Sequence, residues 1–217
     1  MSELYKIAEK ILKNGKGILA ADESTGTMKK RLDSISVESN EKNRLIFRET
    51  LFSSNSMKEC IGGVILYDET IKQNTSQNKS IPELISESGA VPGIKVDTGA
   101  KTLAGSKDEK ISNEEIAELT LKCLKESVPS EVPGIAFLSG GQTEIEATAN
   151  LNQINIKNDT NFIMTYSYGR ALQQSALKFW SKDINNIKGT QEVFDHRAKM
   201  CTLASQGKWS ESLENSK

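Results

Sequence analysis

The chain has 217 residues, 26% of them charged, with a formal net charge of −1 at pH 7. This length suits one domain with a buried core, and we expect a single domain over 1–217. The balanced charge excludes a strongly basic surface, so neither nucleic acid nor a membrane is expected as a partner. No apolar run reaches membrane-spanning length and Met1-Ser2-Glu3 does not start a signal peptide, so we expect a cytoplasmic protein.

The cysteines and the single histidine argue against a metal site. Cys60, Cys123 and Cys201 lie far apart, with no CxxC motif, which predicts three buried thiols in a reducing compartment. His196 is the only imidazole, whereas the usual zinc or iron sites need several imidazoles or paired thiols. We therefore expect no metal and no cofactor.

The first predicted strand ends in two carboxylates. Ser2 is predicted to cap a helix that Gly15 ends, and Gly17–Ala21 is predicted to be a short buried strand. Asp22 and Glu23 follow it, and such a pair is costly to bury unless a cation is close. We assign Asp22 a functional role; Glu23 is either functional or part of the start of the next helix.

The next segment contains a helix, a strand and a loop. Asn40 is predicted to cap a helix over 41–52, and Ile61–Tyr67 is predicted to be a buried strand. Residues 72–80 are polar and predict an exposed loop, before a short helix around Pro82–Ser86.

The third predicted strand, Ala90–Val96, places charge on one of its faces. Alternation directs Ile94 and Val96 to one side and Lys95 and Asp97 to the other. If the sheet closes into a barrel, charged side chains on the inner face need partners or a substrate. The alternative is a half-exposed strand with an i,i+2 ion pair.

Two later strands end in serine and glycine ahead of a helix. Gly134–Leu138 runs into Ser139-Gly140-Gly141 and a helix over 143–151, after a helix that Ser112 caps. Such a turn can direct free backbone N–H groups at an anion, although it can also be an ordinary strand-to-helix turn. A second copy of the pattern favours the anion site.

The second copy also supplies an arginine. The strand Phe162–Tyr166 ends in Ser167-Tyr168-Gly169-Arg170, and the guanidinium geometry of Arg170 suits phosphate. The chain after Arg170 is predicted to form two helices separated at Gly189, followed by a polar tail over 210–217. Five strands, each followed by a helix, predict an α/β fold with a parallel sheet.

These residues resemble those of class I fructose-1,6-bisphosphate aldolase. The resemblance covers almost the whole chain in collinear order and is carried by five segments: Gly17-Ile18-Leu19-Ala20-Ala21-Asp22-Glu23-Ser24-Thr25-Gly26, Cys60-Ile61-Gly62-Gly63-Val64-Ile65-Leu66, Gly93-Ile94-Lys95-Val96-Asp97, Phe137-Leu138-Ser139-Gly140-Gly141-Gln142 and Ser167-Tyr168-Gly169-Arg170-Ala171-Leu172-Gln173. It implies a (β/α)₈ barrel that cleaves fructose 1,6-bisphosphate to dihydroxyacetone phosphate and glyceraldehyde 3-phosphate through a lysine imine, without metal.

The resemblance also implies roles for individual residues. Asp22 corresponds to a catalytic carboxylate on strand one, and Lys95 lines the site at the end of strand three. One substrate phosphate is expected at Ser24, Thr27 and Arg31. The other is expected at Ser139, Gly140, Gly169 and Arg170. The implied partner is thus a phosphorylated sugar.

The chain departs from the family between Glu109 and Ser112. About three strand–helix units are absent there, and with them the imine-forming lysine, a second lysine and the glutamates that transfer protons. We therefore expect an incomplete barrel of family strands seven, eight, one, two and three, made by an N-terminal part, 1–110, and a C-terminal part, 111–217. The family is homo-oligomeric, but the resemblance does not carry that assembly over to a chain without these units.

Three interpretations of this departure stay open. The chain is an internally deleted aldolase without turnover, a remnant that binds sugar phosphates without catalysis, or an ordinary aldolase whose sequence contains an error. The coding DNA across Lys110 to Ser112 separates the third interpretation from the others.

Overall fold

A computed structural model describes residues 2–96 and 112–215. Five parallel strands form one sheet: β1 (Gly17–Ala21), β2 (Ile61–Leu66), β3 (Val91–Ile94), β4 (Gly134–Phe137) and β5 (Ile163–Tyr168). The predicted position of Asp97 lies outside the described residues, as does the connection between the two parts of the chain.

The helices follow the strands in the order that the sequence predicts. They are α1 (Glu3–Leu12), α2 (Thr25–Asp33), α3 (Glu41–Phe52), α4 (Ser56–Glu59), α5 (Asp68–Ile71), α6 (Ile81–Glu87), α7 (Asn113–Ser127), α8 (Glu144–Lys157), α9 (Arg170–Trp180) and α10 (Ile187–Ala204). Short 3₁₀ segments cover Lys13–Gly15 and Glu211–Asn215. Three predicted caps, Ser2, Asn40 and Ser112, each accept a hydrogen bond from the backbone N–H of the third residue beyond. Thr143, predicted as the first residue of a helix, caps α8 in the same way.

The strand order is β3-β2-β1-β5-β4, and every pair is parallel. This order places β1 in the centre, with the C-terminal strands on one side and the other N-terminal strands on the other. The predicted arc of family strands seven, eight, one, two and three is therefore confirmed, including the pairing of Gly134 with Ile163. The fold class is α/β, an incomplete (β/α) barrel.

The convex face of the arc carries the core. Alternate residues of the central strands, such as Leu19 and Leu66, are fully buried against the surrounding helices. Phe47 on α3 and Trp180 on α9 pack against each other in this layer, with ring centroids 5.3 Å apart. A smaller cluster, which includes Leu121 and Met164, lies under α7. Burial of this one face fixes which residues of each strand point to the concave side.

The concave face is more open. The register pairs Ile18 with Gly63 and Ala20 with Ile65, so these residues share the inner side. Ile18, Ala20 and Ile65 are half-buried, and Ala136 on β4 is exposed. In a closed eight-stranded barrel these positions would meet side chains from the opposite strands. Among the described residues the sheet is an arc with two free edges, β3 and β4.

α1 packs across the amino-terminal ends of the strands. A Cβ added to Gly62 would lie 1.9 Å from the backbone oxygen of Ile11, and one added to Gly134 would lie 2.8 Å from a methyl carbon of Leu12. Both glycines therefore let the helix approach the sheet more closely than any side chain allows. The end of α1 thus fixes the amino-terminal side of the arc.

Two predictions were wrong in detail. Gly189 lies inside α10, and the break between the last two helices is at 181–186, where Asn186 caps α10. The predicted polar tail contains a 3₁₀ segment in which Glu214 pairs with the buried Arg197. Cys123 is exposed on α7, whereas Cys60 and Cys201 are buried as predicted.

The close approach of α1 gives a test of the fold. We expect Gly62→Ala to lower the free energy of unfolding by at least ~1–3 kcal/mol, because the new Cβ meets backbone that cannot yield. Gly26→Ala is the matched control: nothing lies within 4 Å of that position, which is inside α2. It should raise stability by ~0.5–1 kcal/mol. Urea unfolding measures both, and equal effects would show that α1 does not pack on Gly62.

Candidate functional site at the carboxyl ends of the strands

The predicted functional residues lie at the carboxyl ends of the strands. In a parallel sheet these ends share one edge, so side chains far apart in sequence come together there. Asp22 follows β1, Lys95 follows β3, Ser139 lies two residues after β4, and Gly169 follows β5. The fold therefore assembles both predicted phosphate groups and the predicted catalytic pair on one side of the arc.

Asp22 and Lys95 form an ion pair. The Lys95 ammonium donates to Oδ2 of Asp22 across 2.8 Å, and both side chains are about one-fifth exposed. The two residues lie 73 positions apart in sequence, so the sheet brings them together. Asp97, the i,i+2 partner in the alternative of a half-exposed strand, lies outside the described residues, so that alternative stays open. Lys95, on the inner face, was predicted to need a partner. That partner is Asp22, which was also predicted to be functional.

Glu23, which the sequence left undecided, is a buried carboxylate held by three side chains. Its Oε1 accepts hydrogen bonds from Arg31 at 2.5 Å and from Gln173 at 3.0 Å. Arg48 lies 3.7 Å from Oε2 and donates to the Glu23 backbone oxygen at 2.9 Å. Buried charge of this kind is tolerated only when it is paired. The role of Glu23 in the described structure is therefore to organise cations.

Arg48 extends this network to the end of β2. It is fully buried on α3 and donates to the hydroxyl of Thr70 at 2.6 Å. Burial lowers the pKa of its guanidinium, and the carboxylates of Glu23 and Glu69 oppose that shift. One turn earlier, Arg44 donates two hydrogen bonds to Glu69, at 2.8 and 2.6 Å. Sequence analysis missed both arginines.

Ser24 and Thr27 form the start of α2. The Ser24 hydroxyl caps the helix by accepting from the backbone N–H of Thr27 at 3.2 Å, and the two hydroxyl oxygens lie 3.1 Å apart. Thr27 is exposed, and Arg31 lies one turn further along the same helix. The predicted phosphate set Ser24, Thr27 and Arg31 is therefore contiguous on one helix, although Arg31 is already engaged by Glu23.

The turn after β4 leads into a helix, α8, whose start is already capped by side chains. Ser139 is buried, its backbone oxygen accepts from the N–H of Gln142 at 2.8 Å, and Gly141 adopts a left-handed φ of +83°. Thr143 and Glu146 form a complete capping box at the start of α8. The Glu146 carboxylate already accepts a hydrogen bond from the backbone N–H of Thr143. An anion here therefore has to bind to backbone N–H groups of the turn, such as that of Gly140, which is exposed.

The start of α9 is more open to an anion. Gly169 precedes the helix, no side chain caps it, and its first turn contains no acidic residue. Arg170 is the first helical residue and is exposed, and its side chain has no hydrogen bond or ion pair within the described chain. The uncapped N–H groups of the first turn and the positive end of the helix dipole lie at the same helix start as this arginine.

Gly169 connects the two predicted phosphate groups. A Cβ added there would lie 3.1 Å from the backbone oxygen of Ala20, 3.7 Å from Oε1 of Glu23 and 3.8 Å from an Nη atom of Arg31. The turn after β5 thus lies directly against the Glu23–Arg31 pair beyond β1. Arg31 and Arg170 consequently flank one glycine turn.

A cavity lies elsewhere, between α8, α9, α10 and the C-terminal 3₁₀ segment. It measures about 870 Å³, and its lining includes Glu144, Ser175, His196, Arg197 and Glu214. None of the predicted site residues lines it. We assign the candidate site by the chemistry at the strand ends.

Metal binding and membrane insertion are two further functions to consider for the described residues. No group of three or more His, Cys, Asp or Glu residues within 2–96 and 112–215 is arranged to hold a metal ion. Over the same residues, no helix has both the length and the apolar character needed to cross a membrane.

A parallel sheet with flanking helices and functional residues at its carboxyl edge defines a protein of the β/α-barrel class. The family model "Fructose-bisphosphate aldolase class-I" matches residues 3–113 and 108–217. Fructose-bisphosphate aldolase 2 of Caenorhabditis elegans is 32% identical, with 95% of this chain and 90% of the relative covered. Fructose-bisphosphate aldolase B of Sparus aurata is 31% identical, with 97% and 91% covered. The chain belongs to the class I fructose-bisphosphate aldolase family.

A solved structure agrees with this assignment. Fructose-bisphosphate aldolase of Plasmodium falciparum, crystallised with TRAP and a small-molecule inhibitor, matches with a TM-score of 0.89 at 25% identity, over 96% of this chain and 95% of that one. The alignment with the C. elegans relative extends over 328 positions, whereas this chain has 217 residues. At least 111 aligned positions therefore hold no residue of this chain, and the two family-model matches meet at 108–113.

The Arg44–Glu69 pair predicts a pH dependence of stability. The hydrogen bonds from Arg44 hold the pKa of the Glu69 carboxyl below its ordinary value of 4.5. A lowered folded-state pKa stabilises the fold above the unfolded-state pKa, and this contribution is lost as the pH falls through the lowered value. We expect the free energy of unfolding to fall below about pH 4.5, with a smaller slope in Glu69→Gln.

The matched control for this measurement is Asp68→Asn. Asp68 is the adjacent carboxylate, but it pairs with Lys72 at the surface with 64% of its side chain exposed. Such a pair contributes little, so its loss should leave the acid slope unchanged. Urea titrations at stepped pH values decide the matter, and an unaltered slope in Glu69→Gln would contradict the assignment.

Proposed function

We propose that the chain is an aldolase-family protein that binds the phosphate of a sugar phosphate at the turns after β4 and β5 and does not perform aldol cleavage. The supporting observation is the exposed start of α9, where Arg170 and Gly169 lie beside Arg31. The ligand class comes from the family, whose members act on phosphorylated sugars. The implied location is the cytoplasm.

The proposed absence of turnover rests on which lysines lie at the carboxyl ends of the described strands. Imine formation needs an unprotonated lysine amine and a nearby group that can transfer protons. At the carboxyl ends of the described strands, Lys95 is the only lysine, and its ammonium donates to Asp22. An ammonium engaged in this way has no lone pair with which to attack a carbonyl. We propose that the units absent between Glu109 and Ser112 carried the reactive lysine.

The retained residues can still bind an anion. Backbone N–H groups at Gly140 and at the start of α9 depend on local turn geometry rather than on the missing units. Arg170 can add a charge-assisted and bidentate contact, and Arg31 lies on the other side of Gly169. Ser24 and Thr27 offer hydroxyl groups for a second phosphate. Asp22 and Lys95 remain positioned to contact the sugar between them.

The proposed phosphate site can be tested by titrating the soluble chain with inorganic phosphate. We expect the amide resonances of Gly140 and Gly169 to shift with saturation. Arg170→Ala should weaken binding by at least about tenfold, because a hydrogen bond to a charged group contributes ~1.5–3 kcal/mol.

Lys178→Ala is the matched control for this titration. Lys178 is an exposed cation at the other end of α9, so its removal changes the net charge equally without touching the site. Shifts at other amides with none at the two glycines, or an equal loss of affinity in both variants, would refute the site.

A further inference from the structure

Among residues 2–96 and 112–215, no strand pairs with the outer sides of the two edge strands, β3 and β4. Lys95 donates its backbone N–H to Leu66, so the backbone of alternate residues, Ile94 and Val96, faces away from β2. The oxygen of Pro133 accepts from Ile163 in the same way, so the backbone of Gly134 and Ala136 faces away from β5. Each edge therefore offers a row of donors and acceptors to a further parallel strand.

Exposed apolar side chains lie at the same two edges. At the β3 edge Val96 is 93% exposed and Ile94 is 45% exposed, and at the β4 edge Leu138 is 72% exposed. Large apolar residues at free strand edges are unusual in monomers and mark surfaces that another chain covers. Pro92 also has its nitrogen on the outer side of β3, which confines any pairing to the stretch that begins at Ile94.

The segment between β3 and α7 cannot cover both edges. A parallel connection needs a crossover of a dozen or more residues in addition to the strand. Residues 97–111, which join β3 to α7, number fifteen. That length is too short to supply a crossover and a strand to each of two edges, which leaves at least one edge for a further strand.

A second copy of this chain fits both edges at once. β3 and β4 are each four residues long and run in the same direction. A twofold rotation about an axis parallel to the strands keeps that direction and brings β3 of each protomer beside β4 of its partner. An unrelated strand could satisfy one edge and would leave the other open.

We propose that the chain forms a twofold homodimer in which the outer edge of β3 in each protomer pairs in parallel with the outer edge of β4 in the partner. Each arc then forms half of a ten-stranded barrel, wider than the eight-stranded barrel of the family. The concave faces of the two protomers cover each other, which removes Ala136 and Leu138 from water.

The dimer can be tested by sedimentation velocity of the full chain over a range of concentrations. The expected result is a reversible species of twice the 23.9 kDa protomer mass. Ala136→Pro removes one outward N–H and no bond of the existing sheet, so it should weaken the dimer at least about tenfold. Ala136→Ser keeps that N–H and should leave the dimer unchanged.

A mixing experiment tests which edges pair. Ile94→Lys places a charge on the β3 edge, as Ala136→Pro blocks the β4 edge, so each variant alone should be monomeric. In a mixture, the intact β3 edge of Ala136→Pro meets the intact β4 edge of Ile94→Lys, and a mixed dimer should form. Circular dichroism shows whether each variant is folded. If Ala136→Pro is unfolded, Leu138→Lys takes its place as the β4-edge variant and is mixed with Ile94→Lys.

Several outcomes would overturn the proposal. A native chain that stays monomeric at every concentration contradicts it, as does a dimer that both edge variants leave intact. Assemblies that grow without limit contradict the closed twofold arrangement, since they show one edge pairing head-to-tail. Failure of the mixed sample to dimerise contradicts the pairing of β3 with β4.

Discussion

The buried contacts of Glu23 and Arg48 hold together the carboxyl ends of three neighbouring strands. Arg48 donates to the backbone oxygen of Glu23, which follows β1, and to the hydroxyl of Thr70, which follows β2. Glu23 in turn accepts from Gln173, which lies on the helix that follows β5. Removing one partner of a buried pair typically costs about 3–5 kcal/mol, because the remaining charge is left without compensation. In a closed barrel, ring closure also restrains the strand ends. In this arc, these contacts and the convex core provide the restraint.

The same contacts hold the residues of the proposed anion site in place. Glu23 holds Arg31, and Gly169 fits against both. These residues come from elements adjacent in the arc, so their geometry does not need the strands that the family has beyond β3. Imine chemistry needs a reactive lysine, which the resemblance assigns to the units absent between Glu109 and Ser112. We propose that the site thereby lost catalysis while it kept its preference for anions.

Local sequence patterns predicted the strands well, and the resemblance predicted their order. Hydrophobic runs and turn residues located all five strands to within a few residues, and Asn40 predicted the start of α3 correctly. The charge network could not be predicted, because Arg48 and Glu23 are 25 residues apart and meet only after the sheet forms. Glycine at position 189 indicated a break, but Asn186 supplies the cap three residues earlier, so the glycine lies inside the first turn of α10. The role of Glu214 depended on a long-range partner, Arg197, in the same way.

The central claim is that this family member binds sugar phosphates without forming an imine. The most direct measurement is borohydride trapping with dihydroxyacetone phosphate, followed by intact-mass spectrometry, with an ordinary class I aldolase treated in parallel. The account predicts a stoichiometric adduct on the control enzyme and no added mass on this chain, since Lys95 is held by Asp22. A stoichiometric adduct on any lysine of this chain, Lys95 included, would contradict it.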